Sequence, residues 1–262
     1  MPIKIEFPQN EHCGLKIAVV GVGENGVKAV STHRHSIDSD NNKTIKSISY
    51  SYRYSFEDCD ETVIESVRDS EWLFVIADTN EKIDFESASQ VVNIQKQNLD
   101  SPPFSILIDI SQNHSYNSEL ATSFNTVISI DDASKAMRPV EMLISLMYAG
   151  LCTCIDAYDV QRLLELAPHM KFNDLETENF EEIKKHTLQM KQSLGEKCKS
   201  TVVLTHISYP DRLDENIFFE DVIIHLAEML PDIHQIYQYN FFTEISVTKL
   251  SWLYGEMVER GI

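Results

Sequence analysis

The chain has 262 residues, is 43% hydrophobic and holds only 8 Gly and 8 Pro, which allows a large packed core and excludes a disordered chain. Its formal net charge of −19 excludes an electrostatic grip on nucleic acid or on an anionic membrane, because both need clustered Lys and Arg. No apolar run approaches the roughly 18–20 residues that cross a bilayer, and the start MPIKIEFPQNEHCG lacks the apolar stretch of a signal peptide. A cytoplasmic protein without direct membrane insertion is therefore expected. The five cysteines, Cys13, Cys59, Cys152, Cys154 and Cys198, are odd in number and scattered, as reduced thiols are.

In chain order, residues 1–14 are polar and suit an edge strand or an arm. Ile17 to Val20 form a short continuous apolar run ending in Gly21-Val22-Gly23-Glu24-Asn25-Gly26, a GxGxxG, with a helix expected from about Val27. Such a run reads as a strand buried on both faces of a parallel sheet. The glycines permit a tight turn and close approach, and the following helix aims its positive end at the loop, an arrangement that suits a phosphate. The same pattern also fits a tight strand-to-helix turn with no ligand. Thr32 to Lys43 reads as a polar loop. His33 and His35 alternate in it without a third ligand nearby, so no metal site is expected.

Thr44 to Tyr54 alternates with period two and reads as a strand. Asp60 to Asp69 follows as a short helix, and Trp72 to Ala77 (WLFVIA) as a buried strand. Lys82 to Leu99 is a helix with Ile83, Val91, Val92 and Ile94 as its apolar stripe, stopped by Pro102 and Pro103. SILIDI (Ser105 to Ile110) and TVISI (Thr126 to Ile130) are strands. Ser134 to Ala149 is a helix closed by Gly150, Asp156 to Leu166 a second, and Thr177 to Leu194 a third whose Phe180, Ile183, Thr187 and Met190 share a face. TVVLTHI (Thr201 to Ile207) is a strand and Ile217 to Leu230 a helix. Gln235 to Phe242 and Glu244 to Leu250 read as a hairpin. Alternating strands and helices in the first half give a parallel sheet with helices on both sides, and the last third a separate α+β layer.

The order of these elements and several short strings resemble the FtsZ/tubulin superfamily. VVGVGENGVKAV looks like that family's first nucleotide loop, and WLFVIAD, TVISIDD and TVVLTHI resemble its successive strands. GLCTCIDAYDV, Gly150 to Val160, is similar to the family's PGLINVDFADV, and QIYQYNFFTEISVTKLSWL resembles its closing strands. The resemblance runs collinearly over almost the whole chain. It implies an α/β fold of the FtsZ/tubulin type: a Rossmann-like parallel-sheet nucleotide domain over residues 1–133, a connecting helix over 134–150 and an α+β domain over 151–262. Gly21, Gly23 and Gly26 are then the cofactor-binding residues, for GTP or GDP. Asp156 and Asp159 match the paired acids with which one subunit of the family positions water at its neighbour's nucleotide. Their spacing equally fits an N-cap and a first-turn acid of one helix.

Departures cluster on the nucleotide face. The family's glycine-rich phosphate clamp after the WLFVIA strand is replaced by Asp78-Thr79-Asn80-Glu81-Lys82-Ile83-Asp84. Glu24, Asn25 and Val27 stand where the family has glycines, Lys28 where it has Asn, and Cys154 where it has Asn. The segment after SILIDI is short. These changes imply weak or absent GTP binding. The resulting expectation is a divergent FtsZ-like cytoskeletal or cell-division protein that associates with itself or with an FtsZ-like partner and scaffolds or modulates assembly. Two alternatives are a Rossmann-type nucleotide-dependent enzyme and a pseudo-GTPase scaffold for an unrelated partner. The Rossmann reading lacks an acid at the end of the second strand; Asp38 and Asp40 have the spacing but precede that strand, and Glu57 lies beyond it.

Overall fold

A computed structural model of the chain describes residues 16–39, 48–53, 61–97, 103–111, 123–148, 157–194, 201–210, 216–229, 234–242 and 247–258. The expectations for residues 1–14, for Gly150, for Asp156 and for the five cysteines lie outside these residues.

Strands β1 (Ile17–Val22), β3 (Trp72–Ala77) and β4 (Phe104–Asp109) are buried at every position. Strands buried at every position and mostly apolar are those covered on both faces. One layer carries Val67 of α2 (Glu61–Arg68) and Ala88, Val91 and Val92 of α3 (Lys82–Gln95), packed on Ala18, Val20, Leu73 and Val75. The other carries α4 (Arg138–Tyr148) and α5 (Ala157–Leu166), whose Val140, Leu143, Val160 and Leu164 pack on Val19, Phe74, Ile76 and Ile108. Ile83 is not part of the α3 stripe: it is 69% exposed at the start of the helix.

Beside β1 lies β2 (Ile48–Arg53), parallel and in register from Ile17↔Ile48 to Val22↔Arg53. The chain then crosses back to β3 on the other side of β1, so the N-terminal strand order is β2-β1-β3-β4-β5, with β5 at Thr126–Ser129. Helix α1 (Gly23–Ser39) starts at the glycine loop itself and continues through much of the polar stretch read as a loop. His33 and His35 therefore stand on a helix.

The C-terminal half departs most from expectation. β6 (His169–Thr177), absent from the sequence reading, pairs in parallel with β5 through only Val127↔His169, Ile128↔Met170 and Ser129↔Lys171. Its other edge pairs antiparallel with β9 (Thr248–Glu256), which pairs antiparallel with β7 (Thr201–Pro210), beside which β8 (His234–Phe242) runs parallel. The hairpin expected between β8 and β9 does not form, because β9 inserts between β6 and β7 and leaves β8 as the last strand in the order. The two halves are joined into one nine-stranded sheet, where a separate layer was expected.

A single core explains the join. Val202, Leu204 and Leu253 of β7 and β9 belong to the same cluster as Met142, Leu143 and Leu146 of α4 and the strands of the N-terminal half. α4 is apolar almost all round, which is the pattern of a helix buried on most of its surface. On the opposite face, α6 (Phe180–Leu194) and α7 (Asn216–Met229) bury Ile183, Met190, Val222 and Leu226 against Val203, Ile207, Leu250 and Trp252.

Ion pairs reinforce the junction. Lys135, in a short 3-10 turn before α4, lies 2.7 Å from Asp174 of β6, and Arg138 at the start of α4 lies 2.9 Å from Glu176. Lys249, the β9 residue directly opposite Glu176, reaches the same carboxylate at 3.2 Å.

Candidate functional site

In an open parallel sheet, the crevice for a ligand lies beyond the carboxyl ends of the strands where the order reverses. Here that point falls between β1 and β3, and the glycine loop and the segment after β3 meet there. Gly23 adopts φ 70°, a left-handed conformation that favours glycine. A Cβ on Gly21 would lie 2.6 Å from the carbonyl carbon of Gly26, and one on Gly26 would run into the Ile76 carbonyl at the end of β3. These two glycines thus let the start of α1 close on β1 and β3. Gly21, Gly23 and Gly26 are brought together, and their local packing alone accounts for Gly21 and Gly26.

Gly23 differs, because what faces its Cα is the carboxyl group of Asp84, from the first turn of α3. All three terminal atoms of that side chain lie where a Cβ on Gly23 would point. Asp84 is half-buried, and burial, then the charges of Asp78 and Glu81, raise its pKa above the ordinary carboxylate value. Lys82, the cation of the segment, is 85% exposed and lies 3.5 Å from Glu86.

The rest of the segment is bound to the protein itself. The Asn80 amide donates to Asp78 Oδ1 at 3.1 Å, and the Glu81 amide to the Asp78 carbonyl at 3.2 Å, which shapes a tight turn into α3. Thr79 donates its hydroxyl to Asp109 Oδ1 at 2.9 Å, and its amide approaches the same oxygen at 3.4 Å. Asp109 closes β4 and is buried; it also accepts from the Ser111 amide at 3.1 Å and from the Ser111 hydroxyl at 2.9 Å. The amides and hydroxyls of Thr79 and Ser111 are thus engaged by this carboxylate. The sequence reading missed Asp109. Its signal was present: an acid ending an apolar parallel strand must find donors in the neighbouring loops.

The segment carries three carboxylates, Asp78, Glu81 and Asp84, and carboxylates a few ångströms from an anion repel it. Asp159 lies elsewhere, exposed in the first turn of α5, where its charge favours the helix dipole. Val160 and Leu164 anchor that helix in the core. Among the described residues, no group of three or more His, Cys, Asp or Glu side chains is arranged to hold a metal ion, and no helix is long and apolar enough to cross a membrane.

The architecture, a doubly wound parallel sheet continued through β6 into a mixed sheet and backed by the buried helix α4, is the FtsZ/tubulin-like fold. Solved structures of that class align over nearly the whole chain. An FtsZ dimer from M. jannaschii is 14% identical, with 95% of this chain and 90% of that chain covered, at a TM-score of 0.66. CetZ from Methanosaeta thermophila is 10% identical, covering 94% and 87%, at 0.62. A GTPγS-form protofilament of TubZ from Bacillus thuringiensis serovar israelensis is 10% identical, covering 94% and 88%, at 0.57. Identities this low establish a shared fold. No family model matches the sequence, and no curated protein sequence matches it.

Proposed function

We propose that this chain is a divergent FtsZ-like cytoskeletal or cell-division protein of the cytoplasm, with weak or lost GTP binding, that scaffolds or modulates the assembly of itself or of an FtsZ-like partner. The fold supports the class, since the structures it resembles include an FtsZ dimer and protofilaments of TubZ and CetZ2. The carrying observation is the Asp78–Asp84 segment against the glycine loop, with the Asp84 carboxyl on Gly23 and Thr79 bound to Asp109. Division into a nucleotide-type domain (1–133), a connecting helix (134–150) and a C-terminal domain (151–262) belongs to this reading.

The end of the molecule bearing Asp159 carries the second half of the reading. Asp156 and Asp159 would sit against a partner's γ-phosphate and orient the attacking water, the positioning that phosphoryl transfer requires. A subunit with this end and a degenerate glycine loop docks on a nucleotide-bearing neighbour without offering one to the next. Head-to-tail growth needs both contacts, so it modulates a filament and does not build one by GTP-driven growth alone. The test mixes the purified chain with an FtsZ-like subunit from the same host and follows GTP turnover and sedimentation. Wild type should change both, and Asp159→Ala should lose the effect on turnover. If neither protein changes either quantity, the docking half of the reading fails. GTP binding by the isolated chain at low micromolar dissociation constant would sink the other half.

A further inference from the structure

We infer that Asp84 is an intramolecular anion, seated on Gly23 in the place where the glycine loop and the N-terminus of α1 would hold a nucleotide's phosphate, so that the chain autoinhibits its own cleft. The inference rests on the reading that GTP binding is weak, and adds a cause that resides in one side chain.

Its geometry has three parts. Gly23 has the positive φ that turns β1 into α1, and the Asp84 carboxyl covers its open side. Asp84 comes from the first turn of α3, and it faces the first turn of α1, so two helix N-termini converge on one negative charge. The two helix ends favour a bound anion, the nearby charges of Asp78 and Glu81 oppose one, and the protein places its own carboxyl there. The segment that carries Asp84 is held by Asp78 to Asn80 and by Asp109 to Thr79, so the carboxyl is presented from a fixed turn. An exogenous polyphosphate must then displace Asp84 or approach it against like charge, with Asp78 and Glu81 adding to the repulsion.

The test titrates GTP into nucleotide-stripped wild type, Asp84→Asn, Asp84→Ser and Glu86→Gln by calorimetry. Glu86→Gln removes the same unit of charge from the same helix, but from an exposed residue paired with Lys82 and away from Gly23. Asp84→Asn keeps the shape and removes the charge, and Asp84→Ser also clears space if the amide crowds the glycine. The expected result is affinity at least about tenfold above wild type in one or both Asp84 variants, and within about twofold of wild type in Glu86→Gln. No measurable binding by either folded Asp84 variant at millimolar GTP overturns the inference while leaving the weak-binding reading intact. An equal gain in Glu86→Gln also overturns it, since the effect would then be net charge. Tight binding by wild type refutes the reading itself, and the ratio between Asp84→Asn and wild type still judges the inference separately.

Discussion

Two acids in this molecule are handled in opposite ways. Glu176, at the junction of the halves, is held between Arg138 and Lys249. Burial pushes its carboxyl up, but hydrogen bonds and charge from Lys249 and Arg138 outweigh it and set its pKa below the ordinary value. Asp84, in the cleft, meets burial and then two more carboxylates, and its pKa rises. The first arrangement stabilises the ionised fold; the second costs stability at neutral pH. The contrast locates strength at the junction and stored repulsion at the cleft.

The largest expected effect lies on the strong side. His206 of β7 is buried in the C-terminal sheet, and burial lowers its pKa from an ordinary 6.5 to about 4. Its neutral form fits the fold, so its contribution is complete above pH 6.5 and is lost as pH falls through the window down to about 4. A depression of that size corresponds to about 3 kcal/mol between those pH values. Urea melts at pH 7, 5.5 and 4 should show that loss in wild type and a shallower slope in His206→Gln, whatever the substitution costs at pH 7. Parallel slopes would remove His206 from the account.

Next come the pairs that fasten α4 to β6. The Asp174 side chain is 9% exposed and that of Lys135 is 42% exposed, between the surface and buried extremes. Asp174→Asn should therefore cost about 2 kcal/mol. Glu176→Gln loosens two more exposed pairs and should cost about 1 kcal/mol. Its cost should shrink at 1 M salt, because partly exposed pairs are screened. A cost in Glu176→Gln that salt does not touch would mean that packing, and not charge, holds the junction.

The weak and strong regions also differ in how far the sequence reveals them. β1 and β3 are continuous apolar runs, and β4 is one apart from Ser105 and Asp109, because both faces are covered, so their type and nearly their limits were legible. The glycines and the acidic segment after β3 were legible for the same reason: a parallel strand must end at its loop. β6 was not, since HMKFNDLET mixes Met170 and Phe172, facing the core, with Asp174 and Glu176, whose partners come from elements distant in sequence. No local period announces a strand whose charges are matched only across the junction. The β8–β9 hairpin failed similarly: short separation favours a hairpin, but β9 gains two neighbours, β6 and β7, by inserting between them. Asp109 was hidden because the value of a buried acid depends on donors from other loops.

The smallest expected effect is the one that tests the weak side directly. A carboxyl whose folded pKa lies above its unfolded value makes the fold prefer the protonated form. Stability from that group is therefore complete below the ordinary carboxylate range and declines as pH rises through the raised folded value. Asp84→Asn deletes this term and keeps the shape on Gly23. At pH 7 the variant should melt slightly above wild type, and the gap should close as pH falls below the ordinary carboxylate range, where the wild-type carboxyl is protonated in both the folded and the unfolded chain. Glu176→Gln should show the opposite sign over the same interval, a deficit at pH 7 that vanishes in acid. Measured together by thermal melts at matched salt, the two variants should give difference curves that converge on zero from opposite sides. If Asp84→Asn instead lowers stability at pH 7, the Asp84 carboxylate is a needed contact at the loop, one whose charge the field of the two helix ends over-compensates, and the cleft is not a store of repulsion.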